Sequence, residues 1–193
     1  HGVQVEVAGI CPDADRERSL RILDAAAIFA RERRLASIRL LATDVDGTLT
    51  DGGMYYGREG EAFKRFNTRD AAGMLRLRQE HGVELGVITA EDSPSVHTRM
   101  HKLKITRYAP GTKDKVAVLR GWCAEIGIGF DQVAYIGDDF NDIPALRLVG
   151  FAACPADADV EVMAAAADLV CAERGGRGAV RSLADRIRAA QAR

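Results

Sequence analysis

The stretch LLATDVDGTLTDGG, residues 40–53, is an apolar run that ends in two carboxylates, Asp44 and Asp46. Aspartate is depleted in strands, and residues i and i+2 of a strand point to the same side. A strand ending here aims two like charges in one direction, which costs energy unless a cation or a reaction uses them. Residues 38–43 read as the strand itself, and Gly47 and Thr48 turn the chain away from it.

Outward from this stretch, strands and helices alternate. Residues 54–66 read as a hairpin around the GREG turn, 70–81 as a helix stopped by Gly82, and 83–89 as the next strand. Then come a helix (95–103), a short strand (105–108) and a helix (113–126) with Val116, Leu119, Trp122, Cys123 and Ile126 on one side. A strand over 132–136 ends in GDDFND, followed by a helix, a strand (151–154), a helix, a strand (168–171) and a final helix. This order predicts an α/β fold: a Rossmann-like three-layer sandwich with a mostly parallel central sheet and a small β-hairpin flap. Such sheets bind ligands at the carboxyl ends of their strands. The polar clusters fall there, because Asp44/Asp46, Thr89 and Asp138/Asp139 each follow an apolar strand.

Bulk properties narrow the classes. A chain of 193 residues with formal net charge −1 can bury a real core and carries no charge bias toward nucleic acid or membrane surfaces. No apolar run reaches the length of a membrane span and no signal-peptide core opens the chain, so a cytoplasmic protein is expected. Cys11, Cys123, Cys154 and Cys171 form no C-x-x-C pair, which favours buried free thiols over zinc or disulfides. Residues 1–37 form an N-terminal extension of unknown role, and 38–193 the main domain. In the extension, Leu20, Leu23, Ala27 and Ala30 have helical spacing over 19–34, and RERR suits a helix C-terminus or a solvated face.

The chemistry rests on a combination. D-x-D-G alone is a common acidic turn. An EF-hand loop starting at Asp44 fails, with Thr48 at its fifth position, Leu49 at the glycine and Tyr55 at the bidentate glutamate. Read together, the strand ends offer carboxylates from Asp44, Asp46 and Asp138, a hydroxyl from Thr89 and a cation from Lys115. Converging carboxylates repel unless a cation sits among them, and hard oxygen ligands suit Mg²⁺. A lysine and a hydroxyl beside that metal form an anion site, so metal plus anion reads as bound phosphate.

DVDGT, Thr89, Lys115 and GDDFND, in that order, resemble the four motifs of haloacid-dehalogenase-superfamily phosphatases. The resemblance implies that Asp44 is the nucleophile and forms an aspartyl phosphate. It implies that Asp46 is the general acid and then the general base. Asp44, the Asp46 carbonyl and Asp138 would hold Mg²⁺, supported by Asp139 and Asp142, while Thr89 and Lys115 would hold the phosphoryl oxygens. Two other readings stand beside it. A receiver domain also places Asp, Thr and Lys around Mg²⁺, but carries its acidic pair earlier and nothing like GDDFND after the lysine. A non-catalytic domain joined to a nucleotidyltransferase, as in animal CMP-sialic acid synthetases, resembles this fold but has lost the nucleophile.

Between Asp46 and Thr89 there is room only for the hairpin and one helix, which implies no cap domain. The segments DGGMYYG, FKRFNTRDAAGM and GGRGAV resemble the capless sugar-acid phosphatases. That resemblance implies a small-molecule sugar-phosphate substrate and a homotetramer assembled through the hairpins, with neighbours closing each site. The family usually has Gly after the threonine, where this chain has Ala90, and the eight-carbon enzymes typically have Arg next, where it has Glu91. Glu91, Arg99 and Lys102 match substrate-contacting positions of the nine-carbon branch, so a 2-keto-3-deoxy nine-carbon sugar acid 9-phosphate is the expected substrate. The alternative is 3-deoxy-D-manno-octulosonate 8-phosphate. Arg99 and Lys102 either meet a sugar carboxylate or decorate a solvated helix face. Arg174 and Arg177 either bind an anion in a neighbouring site or flank glycines that shape a turn. His97 and His101 lack the glutamate of H-E-x-x-H and read as surface histidines. Tyr55 and Tyr56 read as hairpin packing.

Overall fold

The computed structural model describes residues 13–166 and 168–192. Its elements run in the expected order. Helix α1 (Asp13–Ala36) precedes strand β1 (Leu40–Thr43), the hairpin β2 (Tyr55–Gly57) and β3 (Gly60–Phe63), and helix α2 (Thr68–His81). Strand β4 (Glu84–Ile88), helix α3 (Pro94–Leu103), strand β5 (Arg107–Ala109) and helix α4 (Lys115–Ile126) follow. The chain closes with β6 (Val133–Ile136), α5 (Ile143–Leu146), β7 (Phe151–Cys154), α6 (Val160–Ala165), β8 (Leu169–Val170) and α7 (Ala179–Gln191).

Six strands form one parallel sheet in the order β5-β4-β1-β6-β7-β8, and the hairpin pairs only with itself. Strand side chains alternate between two buried layers. Leu41, Leu85, Val87, Ala134 and Ile136 face a core completed by Met74 and Leu77 of α2 and by Leu183 and Ile187 of α7. Leu40, Ala42, Ile88, Val133 and Tyr135 face the opposite core, completed by Leu119 of α4, Leu146 of α5 and Val162 of α6. Both faces of the sheet are therefore covered, which is why its strands read as continuous apolar runs. Only the hairpin and α2 separate β1 from β4, and only α3 separates β4 from β5, so no cap domain interrupts the sandwich.

The first strand lies centrally, with β4 on one side and β6 on the other. The chain runs from β1 outward to β4 and β5 on one side and then returns to β6 on the other, which opens the topological switch point at the carboxyl end of β1. Asp44 is the next residue, and its backbone N–H still donates to Ile136 O at 3.0 Å.

One expectation needs correction. The predicted strand 105–108 forms only at Arg107–Ala109, because Lys104 caps α3 in a left-handed conformation (φ 52°) and Ile105 N still donates to Met100 O of that helix. RERR ends α1 as expected, with Arg33 and Arg34 exposed in the last turn; Arg34 also pairs with Asp168, donates to Gly150 O and lies over the ring of Phe151. The helical spacing in α1 is real, yet Leu20 and Leu23 are exposed, as are Ile22, Ile28 and Phe29. Gly82 stops α2 as expected, in the left-handed conformation (φ 67°) that a glycine takes at lowest cost.

Candidate active site

The site is built where β1, β4 and β6 end. Asp44 is buried directly after β1, and Lys115, the first residue of α4, is buried against it. Lys115 Nζ donates to Asp44 Oδ1 at 2.6 Å and to Asp142 Oδ1 at 2.6 Å, with Asn141 Oδ1 at 3.4 Å. Burial first, and then repulsion from Asp142, push Asp44 up to about 8, despite the attraction of Lys115. Asp138, after β6, is pushed up to about 7, chiefly by burial. Against burial, which lowers it, Asp44 and Asp142 hold the Lys115 ammonium above its ordinary value.

Asp44, Asp138 and Asp142 bring one carboxylate oxygen each within 4.8 Å of one another. Their hydrogen bonds divide them. Asp142 Oδ1 accepts from Lys115 and from Tyr135 Oη at 2.6 Å, and Oδ2 accepts from the N–H groups of Asp138 and Asp139 at 3.0 and 3.1 Å. With both oxygens so occupied, Asp142 organises the cluster from behind. Asp44 and Asp138 keep oxygens free, one further Asp138 oxygen accepting from Thr48 Oγ1 at 2.8 Å. Hard oxygens converging with too little positive charge fit Mg²⁺, since a divalent ion would relieve the repulsion that raises Asp44 and Asp138. Asp139 is exposed, and its carboxylate caps the short turn of Phe140–Asp142 by accepting from Phe140 N.

The other expected residues occupy distinct places. Thr89 is buried at the end of β4, and its Oγ1 accepts from Glu91 N at 3.1 Å, which leaves the hydroxyl proton free to donate elsewhere. Glu91 is exposed beside it. Ala90 is accommodated because, among the described residues, Lys104 is the one non-glycine with positive φ. Asp46 is half-buried and is gripped by Lys64, whose Nζ donates to both carboxylate oxygens at 2.7 Å. Arg99 lies over the ring of Phe66, 5.7 Å from its centroid, and Lys102 is exposed on the same helix, so both stand outside the carboxylate cluster. Arg174 and Arg177 are also exposed. The intervening glycines pack on the loop after β1: a Cβ on Gly175 would lie 1.7 Å from Gly47 O, and Gly176 N donates to Thr48 O at 2.9 Å.

Three residues of the site were not foreseen from the sequence: Lys64, Tyr135 and Asn141. Tyr135 carried a signal, a phenol in an otherwise apolar strand; Lys64 stood beside Arg65 and close to Glu61, and Asn141 lay inside GDDFND, both without distinction. His97 and His101 are exposed, His97 bonding Asp92 at 2.6 Å. Tyr55 stacks on Phe63 at 4.4 Å between centroids, and both Tyr55 and Tyr56 are exposed, Tyr56 the more so. Cys123, Cys154 and Cys171 are buried free thiols, and burial pushes Cys154 up to about 11 and Cys171 up to about 12; Cys11 lies outside the described residues. No helix among the described residues is long and apolar enough to cross a membrane.

Comparison with known proteins accords with this geometry. Residues 96–178 match the family model of haloacid dehalogenase-like hydrolases. The 3-deoxy-D-manno-octulosonate 8-phosphate phosphatase of Haemophilus influenzae is 36% identical over 160 residues, which is 83% of this chain and 88% of that protein. The chain belongs to this hydrolase family. The phosphatase of the same description from Escherichia coli K12 is 38% identical over 155 residues, 80% of this chain and 81% of that protein. A crystal structure of the Moraxella catarrhalis phosphatase of that description, with magnesium, phosphate and KDO, superimposes with a TM-score of 0.80 at 36% identity. It covers 84% of this chain and 92% of that one. These hydrolases share the α/β sandwich and place this chain among the phosphoric monoester hydrolases rather than the receiver domains.

Proposed function

We propose that this chain is a Mg²⁺-dependent phosphatase acting on the phosphate monoester of a 2-keto-3-deoxy sugar acid. The observation that carries this reading is the convergence of a buried Asp44 with Lys115, Asp138 and an independently held Asp46 at the switch point of the sheet. Asp44, Asp138 and the Asp46 carbonyl would hold Mg²⁺, which supplies charge neutralisation of the phosphoryl group.

The residues divide the work as follows. Asp44 attacks phosphorus, the bond from phosphorus to the sugar oxygen breaks, and Asp46, protonated on one oxygen while the other keeps its contact with Lys64, passes that proton to the leaving oxygen. The sugar leaves as an alcohol and Asp44 carries the phosphoryl group. Asp46, now ionised, takes a proton from water as the water oxygen attacks phosphorus; the bond to Asp44 breaks and inorganic phosphate leaves. Lys115 and the free hydroxyl proton of Thr89 supply donors to phosphoryl oxygens. Asp142, with Asp139 beside it, keeps Lys115 and the Asp138 backbone in register.

The named relatives support the eight-carbon ester, 3-deoxy-D-manno-octulosonate 8-phosphate. Glu91 supports the nine-carbon ester as a second reading, because it is an exposed hydrogen-bond acceptor next to Thr89 where eight-carbon enzymes carry arginine. Glu91, Arg99 and Lys102 would then contact the sugar, with Arg174 and Arg177 serving a neighbouring subunit in a cytoplasmic homotetramer joined through the hairpins. Residues 1–37 lie outside the catalytic domain, 38–193, in this reading. Phosphate release from both esters with Mg²⁺ is the test: turnover of either that is abolished by Asp44→Asn supports the phosphatase, and the ratio of kcat/KM decides the chain length. Turnover of neither ester would favour the non-catalytic domain.

A further inference from the structure

Lys64 is a charged residue whose side chain is 0% exposed, an unusual state for a lysine that is not a ligand of the main carboxylate cluster. It stands just beyond β3, at the base of the hairpin. Its ammonium reaches Asp46 Oδ1 and Oδ2 at 2.7 Å each, and Glu61 Oε2 at 3.5 Å. Glu61 in turn accepts from the hydroxyl of Ser93. Ser93 is the N-cap residue of α3, yet its side chain makes no cap bond to that helix. A capping serine is worth about 1 kcal/mol, and here the hydroxyl is committed to Glu61 instead. Ser93–Glu61–Lys64–Asp46 is thus one polar relay joining three segments: the loop after β1, the hairpin, and the N-terminus of α3.

We propose that Lys64 is a positioning residue that sets the orientation of the Asp46 carboxylate for proton transfer to the leaving group, and that Glu61 and Ser93 seat it. This rests on the phosphatase reading above. Two equal contacts from one ammonium place it on the bisector of the carboxylate and hold both oxygens toward the base of the hairpin. Among the described residues, the other side-chain donor near Asp46 is Thr50 Oγ1 at 3.5 Å, at the limit of a hydrogen bond, so Lys64 dominates the orientation. Removing it leaves Asp46 chemically intact but badly aimed, and a misplacement on the order of 1 Å can cost about 10²-fold. The relay also makes the aim of Asp46 depend on the seating of the hairpin.

The test separates aim from general damage by varying the leaving group. A sugar phosphate expels an alkoxide that needs the Asp46 proton, whereas p-nitrophenyl phosphate expels a phenolate that leaves without it. For Lys64→Met, kcat/KM on the sugar phosphate should fall by about 10²-fold, the lower range of general-acid contributions, and on the nitrophenyl ester by no more than about threefold. Lys64→Arg, which keeps a charged pair of donors, should recover part of the sugar-phosphate loss. Glu61→Gln should show the same selectivity on a smaller scale, and supplies the measurement if Lys64→Met does not fold. Equal losses on the two esters, or no loss on either, in the folded variants would overturn the proposal. A wild-type protein inactive on both esters would instead defeat the phosphatase reading.

Discussion

Lys115 Nζ lies 2.6 Å from Asp142 Oδ1, so the cation that faces Asp44 is itself held from behind by a carboxylate with no exposed side-chain surface. Asp142 also receives Tyr135 and two backbone N–H groups, which makes it the hub of the site. Asp142→Ala leaves the buried Lys115 ammonium with Asp44 as its remaining carboxylate partner and strands the buried Tyr135 phenol. The expected loss of stability is about 3–5 kcal/mol, the cost of breaking a buried pair from one side, with phosphatase activity near background. Urea unfolding followed by circular dichroism measures it, and a midpoint unchanged from wild type would contradict the hub.

Tyr135→Phe removes only one donor to Asp142 and preserves volume. A hydrogen bond to a charged group contributes about 1.5–3 kcal/mol, so the variant should be destabilised by roughly that amount while keeping measurable turnover. Comparison of its unfolding midpoint with that of Asp142→Ala checks that the second is clearly the larger effect.

Gly47 and Gly175 respond differently to a methyl group. Gly47 has φ +80°, and its added Cβ would lie 1.9 Å from Asp138 Oδ2, the flexible end of a side chain. Gly47→Ala should fold, with Asp138 displaced and Mg²⁺ affinity lowered at least about tenfold, an outer-shell-sized effect or larger. Gly175→Ala drives its Cβ to 1.7 Å from the Gly47 carbonyl, so backbone must move. Its expected cost is about 1–3 kcal/mol of stability, with activity falling as the catalytic loop shifts. Thermal melts with and without Mg²⁺ distinguish the two.

The Mg²⁺ effect on stability should depend on pH with a definite sign. In the metal-free protein Asp44 is raised to about 8 and Asp138 to about 7, from an ordinary value of 3.8. Between 3.8 and those values the folded state binds more protons than the unfolded chain, so metal-free stability falls as pH rises through that window. Mg²⁺ selects the ionised carboxylates and offsets that loss. The rise in Tm caused by Mg²⁺ should therefore grow from about pH 5 to about pH 9, and binding near neutral pH should release protons. A rise in Tm independent of pH would contradict the raised values.

Tyr56 is 69% exposed on β2 while its neighbour Tyr55 is stacked on Phe63. If the hairpins join four subunits, Tyr56→Asp places charge in that contact and should reduce the mass measured by light scattering. A wild-type monomer would remove the hairpin from the assembly and leave its role to the Lys64 relay.

Much of this protein was legible along the chain. Alternating apolar strands and amphipathic helices dictated a covered parallel sheet, and the carboxyl ends of β1, β4 and β6 carried the polar residues that such a sheet presents to a ligand. Asp44 and Asp138 could be named because each follows an apolar strand, and Lys115 because it stands in motif order between them, where a polar turn opens a helix. The exposed apolar side chains of α1 were not legible, because helical spacing shows which residues share a face and not whether anything covers it.

What the sequence determined was therefore local: which residues form strands, where those strands end, and which ionisable groups wait there. Only the tertiary structure decided how the carboxylates divide their labour, because hydrogen-bond saturation depends on neighbours distant in sequence. Asp142 is filled by donors from β6, from α4 and from the loop following β6, while Asp44 and Asp138 retain open oxygens. Asp46, two positions after Asp44 in the motif, owes its orientation to Lys64, which the hairpin folds back across 18 positions of chain. A linear pattern places charges; the packing around each one decides which is satisfied and which is left to act.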